Sequence, residues 1–308
     1  MDQTRDYEEN HSRRPNPEIL TPGQRPTDHY AQQFQAGYGE VHQVPAPAVN
    51  RPKRPGWASA PATYALVGIN CLVYLSMCLR GFSPFSPTSM DLIHSGANVG
   101  VLVLGYGQWW RMITAMFVHV GIIHIAVNMW CLWNLGLLAE PLMGPLGVIA
   151  AYLLTGYAGN VLSVARHPGV MGGPQSVISA GASGAIFGLA GVLIILLRSP
   201  LLPIPPLELK KLRRSVIWFA VLNLVLDMGV DMAHFFIQVD NMAHIGGLVS
   251  GILLGLPMVP RIGARPEVFR KRRWYAIALV GALLVLLSVA VYWYWMLRPL
   301  SAGSHGAF

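Results

Sequence analysis

Residues 177–197 read VISAGASGAIFGLAGVLIILL. No side chain in this stretch carries a charge, and its length is close to the ~20 residues a helix needs to cross a bilayer. Inside hydrocarbon only helices and closed barrels satisfy the backbone, and a continuous apolar run excludes the short alternating strands of a barrel. The stretch therefore predicts a membrane-spanning helix. Six more segments of the same kind surround it, at roughly 60–79, 118–138, 147–165, 213–230, 242–259 and 275–296. Clusters of Pro and Gly punctuate the series at 81–87, 140–145, 168–174 and 200–206. The predicted fold is an all-α membrane protein, a bundle of seven spans.

Composition agrees with that reading. Of the 308 residues 53% are hydrophobic and only 12% are charged, against roughly 25% charged in a soluble domain. The net charge of +8 would point to nucleic acid in a soluble protein. Charges this sparse, set between apolar runs, read instead as topology signals, and no nucleic-acid partner is expected. Residues 1–58 differ from the rest: they are rich in Pro, Gln and Asn and hold seven basic and seven acidic side chains. Too few apolar residues cluster there to offset chain entropy, so a disordered tail is expected. No apolar segment follows the first residues, so no secretory signal is expected. Cys71, Cys78 and Cys131 all lie within apolar runs and form neither a disulfide framework nor a zinc spacing.

Basic residues are retained on the cytoplasmic side of a membrane. The tail holds seven, the loop around 198–214 holds five and the loop around 261–273 holds six. Seven spans put all three on one side and leave Arg80, Arg111, Arg166 and Arg298 on the other. The N-terminus is thus expected in the cytoplasm and the C-terminus outside, with the plasma membrane as the expected location. The connection 81–117, with Trp109, Trp110 and Arg111, is then external, too long for a hairpin turn, and expected to lie partly at the interface.

Polar residues inside spans are costly and often functional. His124 and Asn128 in the second span, Ser183 in the fourth and His244 in the sixth fall in this class. Those three spans all run from outside to inside, and each residue lies near the outer end of its span, so one layer of the bundle holds all four. Ser183 sits in Gly181-Ala182-Ser183-Gly184, which on its own also suits a small-residue helix contact. In the sixth span Ala243, Gly247, Gly251 and Gly255 form one stripe, with His244 beside its outer end. Helices with such stripes approach closely enough for a serine hydroxyl to reach an imidazole, the commonest base that activates it. A Ser183–His244 dyad is the expectation. Asp227, Asp231 and Asp240 lie at span ends or in the external loop, so no triad is expected. His124 and Asn128, four residues apart, share a helix face. They suit either interhelical hydrogen bonding or donation to the oxyanion formed when Ser183 attacks a carbonyl. His119 and His124 lack the His-Glu-x2-His arrangement of helical zinc proteases, so neither a metal nor another cofactor is expected.

These residues resemble the rhomboid family of intramembrane serine proteases. Trp110-Arg111, His119, His124-x3-Asn128, Glu140 and Gly144, Gly181-x-Ser183-Gly184 and Ala243-His244-x2-Gly247-x3-Gly251 occur in the family's order. The resemblance covers roughly residues 59–258, six spans. The seventh span, within residues 259–308, looks like the additional C-terminal helix of the six-plus-one rhomboids. The resemblance implies Ser183 as nucleophile, His244 as general base, and His124, Asn128 and the Ser183 backbone N–H as oxyanion donors. It also implies single-span transmembrane protein substrates, cut near the outer membrane boundary with a small residue before the cut, in contact with membrane lipid. Phe187 stands where some members carry a tyrosine beside the catalytic histidine. A catalytically inactive rhomboid-like protein that binds membrane clients is the alternative, although such a relative is expected to lack the serine or the histidine. A transporter is disfavoured, since no internal repeat is found and the mid-span polar residues are Ser, His and Asn.

Overall fold

The structure, a computed structural model, describes residues 60–169, 177–202, 204–232, 240–259 and 266–297. The tail expected over 1–58 lies outside the described residues, as does the C-terminal end beyond 297, expected to be external. The main elements are α1 (Pro61–Leu79), α2 (Ser89–His94), β1 (Asn98–Val99), α3 (Gly100–Leu104), α4 (Arg111–Thr114), α5 (Ile122–Arg166), β2 (Ile178–Ser179), α6 (Ser183–Leu196), α7 (Pro206–Met232), α8 (Asn241–Gly255) and α9 (Pro266–Met296). Helices dominate, and the protein is an all-α membrane bundle.

Helix α1 begins at Pro61, whose missing N–H costs nothing at a first helical position. Its next free donors are satisfied from another span. The buried Glu140 carboxylate accepts from Ala62 N (2.9 Å), Thr63 N (2.8 Å) and Thr63 Oγ1 (2.6 Å). A carboxylate at a helix N-terminus also meets the positive end of the helix dipole. Four residues later Gly144 takes φ +71°, a conformation that favours glycine, and Pro145 follows. Here α5 breaks, and its second half runs back toward the chain that precedes its first: Tyr152 Oη donates to Met116 O at 3.1 Å and Asn160 Nδ2 to Met112 O at 2.7 Å. The second and third expected spans are therefore the two halves of one 45-residue element joined by a kink instead of a loop.

Helix α6 is shorter than its apolar run. Residues 177–182 are strand and turn, and the helix starts at Ser183. At about 1.5 Å per residue its 14 residues rise only about 21 Å, less than the ~30 Å of a hydrocarbon core. Non-helical backbone at such depth is tolerated only when buried in protein or lining a cavity, and both conditions hold here. β2 pairs antiparallel with β1, Asn98 opposite Ser179 and Val99 opposite Ile178. Helices α7 and α9 start earlier than the apolar runs suggest, drawing Lys210, Lys211 and Lys271 to Arg273 into helical turns. Basic residues are good helix formers, and only their charge ends the apolar pattern.

The segment 81–117 is built from short helices around Arg111, 7% exposed. Its Nη1 donates to Ile93 O (2.8 Å) and Ala97 O (2.9 Å), its Nε to Gln108 Oε1 (2.6 Å), and the guanidinium lies 4.5 Å from the Trp110 ring. Burial lowers the Arg111 pKa from the ordinary arginine value, and the two carbonyls hold the charge.

Candidate active site

The approach to Ser183 is set by Gly181. Its φ of +130° turns the chain out of β2, and its N–H donates to Ala115 O at 2.9 Å. A Cβ there would lie 2.7 Å from His124 Cε1, so only a residue without a side chain lets the imidazole sit against this turn. Two residues on, Ser183 opens α6. His244 stands in the first turn of α8, where the Asp240 carboxylate accepts from Ala243 N at 3.1 Å and so caps the helix.

Close packing of α6 and α8 brings the two together. A Cβ at Gly247 would strike Gly184 O, and one at Gly251 would strike Gly188 O. At that spacing Ser183 Oγ and His244 Nε2 are 2.7 Å apart. Phe187, one turn below Ser183, stacks on the imidazole at 4.6 Å between centroids and 15° between planes. The ring packs against one face of the His244 imidazole.

His124 and Asn128 border the same cavity of ≈ 160 Å³ as Ser183 and His244. Val120 N donates to His124 Nδ1 at 3.4 Å, an arrangement that leaves the ring proton on Nε2. Asn128 Nδ2 donates to His124 O at 2.9 Å, and an amide nitrogen has a second hydrogen. His119 is fully buried, its Nδ1 3.1 Å from Phe117 O and its ring 5.3 Å from that of His124. Trp110 and Arg111 do not line the cavity; they organise the segment 81–117. All four residues expected in one layer of the bundle thus meet at one cavity.

Three more polar residues of this cavity escaped sequence reading, Asn160, Ser179 and Asn223. The signal was present, because Asn160 is an amide inside an apolar span and the rule that singles out Asn128 applies to it equally. Ser179 gave none, since it reads as part of a helix that starts only four residues later.

The family model described as the Rhomboid domain matches residues 106–261. Rhomboid protease GluP of Bacillus subtilis (strain 168) is 30% identical over 238 residues, 77% of this chain and 41% of that protein. RHOMBOID-like protein 6, mitochondrial, of Arabidopsis thaliana is 33% identical over 195 residues, 63% of this chain and 58% of that protein. Rhomboid-like protease 2 of Toxoplasma gondii is 26% identical over 235 residues, 73% of this chain and 75% of that protein. The chain spans about half the length of the first two of these relatives.

Proposed function

This chain belongs to the rhomboid family, and from that premise we propose that it is an intramembrane serine endopeptidase that cleaves single-span membrane proteins through a Ser183–His244 dyad. The 2.7 Å separation of Ser183 Oγ and His244 Nε2 is the observation that carries this reading. In the proposed reaction Oγ attacks the scissile carbonyl while Nε2 takes its proton. The tetrahedral intermediate collapses with expulsion of the amine, which receives that proton from the imidazolium, and an acyl-Ser183 ester remains. Water, deprotonated by His244, then adds to the ester and releases the acid. We assign His124 Nε2–H, the second Asn128 amide hydrogen and the Ser183 N–H to the developing oxyanion; the Ser183 N–H is one of the free donors at the start of α6. The protease core is residues 59–258. The tail is cytoplasmic and the C-terminus external, an orientation that the eighteen-to-four division of basic residues supports, and the proposed location is the plasma membrane.

Ser183→Ala and His244→Ala are each expected to abolish cleavage of a transmembrane reporter by detergent-purified protein that remains folded. The double variant is expected to be little worse, because the pair acts as a unit. A fluorophosphonate probe is expected to label the parent and not Ser183→Ala. Ser183→Ala activity above a few per cent of the parent overturns the dyad. A parent that neither cleaves nor labels favours the client-binding reading.

A further inference from the structure

Asn160 lies in the second half of α5, 5% exposed. An amide at this depth is costly unless its polar atoms are satisfied, and where they are satisfied is informative. Its Nδ2 donates to Met112 O at 2.7 Å, in α4 of the external segment. Its Oδ1 accepts from Ser179 Oγ at 3.3 Å, in β2. Its backbone carbonyl accepts from Asn98 Nδ2 at 3.4 Å, in β1, and Asn98 is the register partner of Ser179. An amide whose task was to join membrane helices would spend these bonds on the neighbouring helices. Each of the three runs instead to the external segment or to the strand that precedes Ser183.

That strand walls the reaction cavity: Ile178, Ser179, Ala180 and Gly181 all line it with Ser183. Only three residues separate Ser179 from Ser183, so a shift of β2 moves the wall against which a peptide must lie relative to the nucleophile. We propose that Asn160 is a positioning residue for catalysis, a latch that ties β2 to the external segment and so sets where the scissile bond sits relative to Ser183. This inference rests on the proteolytic reading above. Met112 and Asn98 hold the latch from the external side, and Ser179 delivers its effect to the cavity.

The test is a cycle of Asn160→Ala, Ser179→Ala and the double variant in the full chain, with kcat and KM for a transmembrane reporter expressed per site titrated by fluorophosphonate. Cleavage positions are read by mass spectrometry. Asn160→Ala is expected to lower kcat/KM by about 10–100-fold, the scale of an ångström-sized misplacement, and to spread cleavage over neighbouring bonds. Ser179→Ala is expected to do the same more weakly, and the double variant to be no worse than Asn160→Ala. A kcat/KM for Asn160→Ala within about twofold of the parent, with cleavage at the parental bond, overturns the proposal whatever happens to stability. Losses that add in the double variant also overturn it, since Ser179 would then act on substrate independently. If Asn160→Ala does not fold, Ser179→Ala decides alone, and cleavage by it at the parental bond with unchanged kcat/KM overturns the latch. A parent that takes up no probe and cleaves nothing removes the proteolytic reading itself, whereas an active parent with an indifferent Asn160→Ala removes only the latch.

Discussion

A side-chain amide in a membrane helix has two plausible employments, and Asn128 shows how they separate. If it donates to the oxyanion, its interaction exists mainly in the transition state. Asn128→Ala is then expected to lower kcat by on the order of 10–1000-fold with little change in KM, about 1.4–4 kcal/mol of transition-state stabilisation. If it only supports α5 through its bond to His124 O, thermal stability falls while the turnover of folded enzyme stays near that of the parent. Measuring both on one preparation distinguishes the two. At this scale the sequence was most legible where polar side chains interrupt apolar runs, as at Asn128, Ser183 and His244. It was least legible where a residue acts through backbone geometry. Gly181 reads as part of a small-residue motif, and only its φ of +130° and the imidazole packed against it reveal why a side chain is excluded.

Elements were read well as existences and less well as boundaries, for identifiable reasons. Hydropathy reports burial in an apolar medium, and residues 177–182 are apolar whether helical or not. Their backbone leaves the helix because β1 supplies hydrogen-bond partners and Gly181 turns the chain. The same shortening places Ser183 at the start of a helix with free N–H groups, a feature that a full-length span would have destroyed. Against this, the glycine stripe of α8 was legible in full, since a period of four on a helix has one geometric meaning. Gly251→Val is expected to cost about 1–3 kcal/mol of stability or more, because its branched side chain would collide with the α6 backbone at Gly188. Activity of the folded remainder is expected to fall at least tenfold, as the Ser183–His244 distance depends on that contact. A thermal melt and a reporter assay on the same sample check both, and a stable, fully active Gly251→Val shows that the α6–α8 contact does not set the distance.

For the whole molecule, the question left by the sequence is what α9 contributes, because its apolar run carries no motif. The structure anchors it at both ends. At its basic end Arg272 Nη2 donates to Pro257 O at 2.7 Å, just past α8, and Arg273 Nη1 donates to Met143 O at 2.5 Å, where α5 breaks at Gly144. Both carbonyls belong to chain leaving a helix, where acceptors lack intrahelical partners and the dipole is negative, so two guanidinium groups are well matched to them. Toward the other end Tyr157 Oη and Ser288 Oγ are 3.0 Å apart, and Tyr292 meets Trp109 of the segment 81–117 edge-on at 6.4 Å. Helix α9 therefore bridges the break in α5 and the segment 81–117. The double substitution Arg272→Ala with Arg273→Ala is expected to lower the unfolding free energy by about 1–3 kcal/mol, the usual scale for hydrogen bonds to charged donors. Lys at both positions is expected to restore only part of it, since an ammonium lacks the fork that reaches a carbonyl across the helix surface. Denaturation followed by tryptophan fluorescence in detergent measures the change. Unaltered stability of the double Ala variant would mean that α9 is held by apolar contact alone and that the basic turn serves only to set topology.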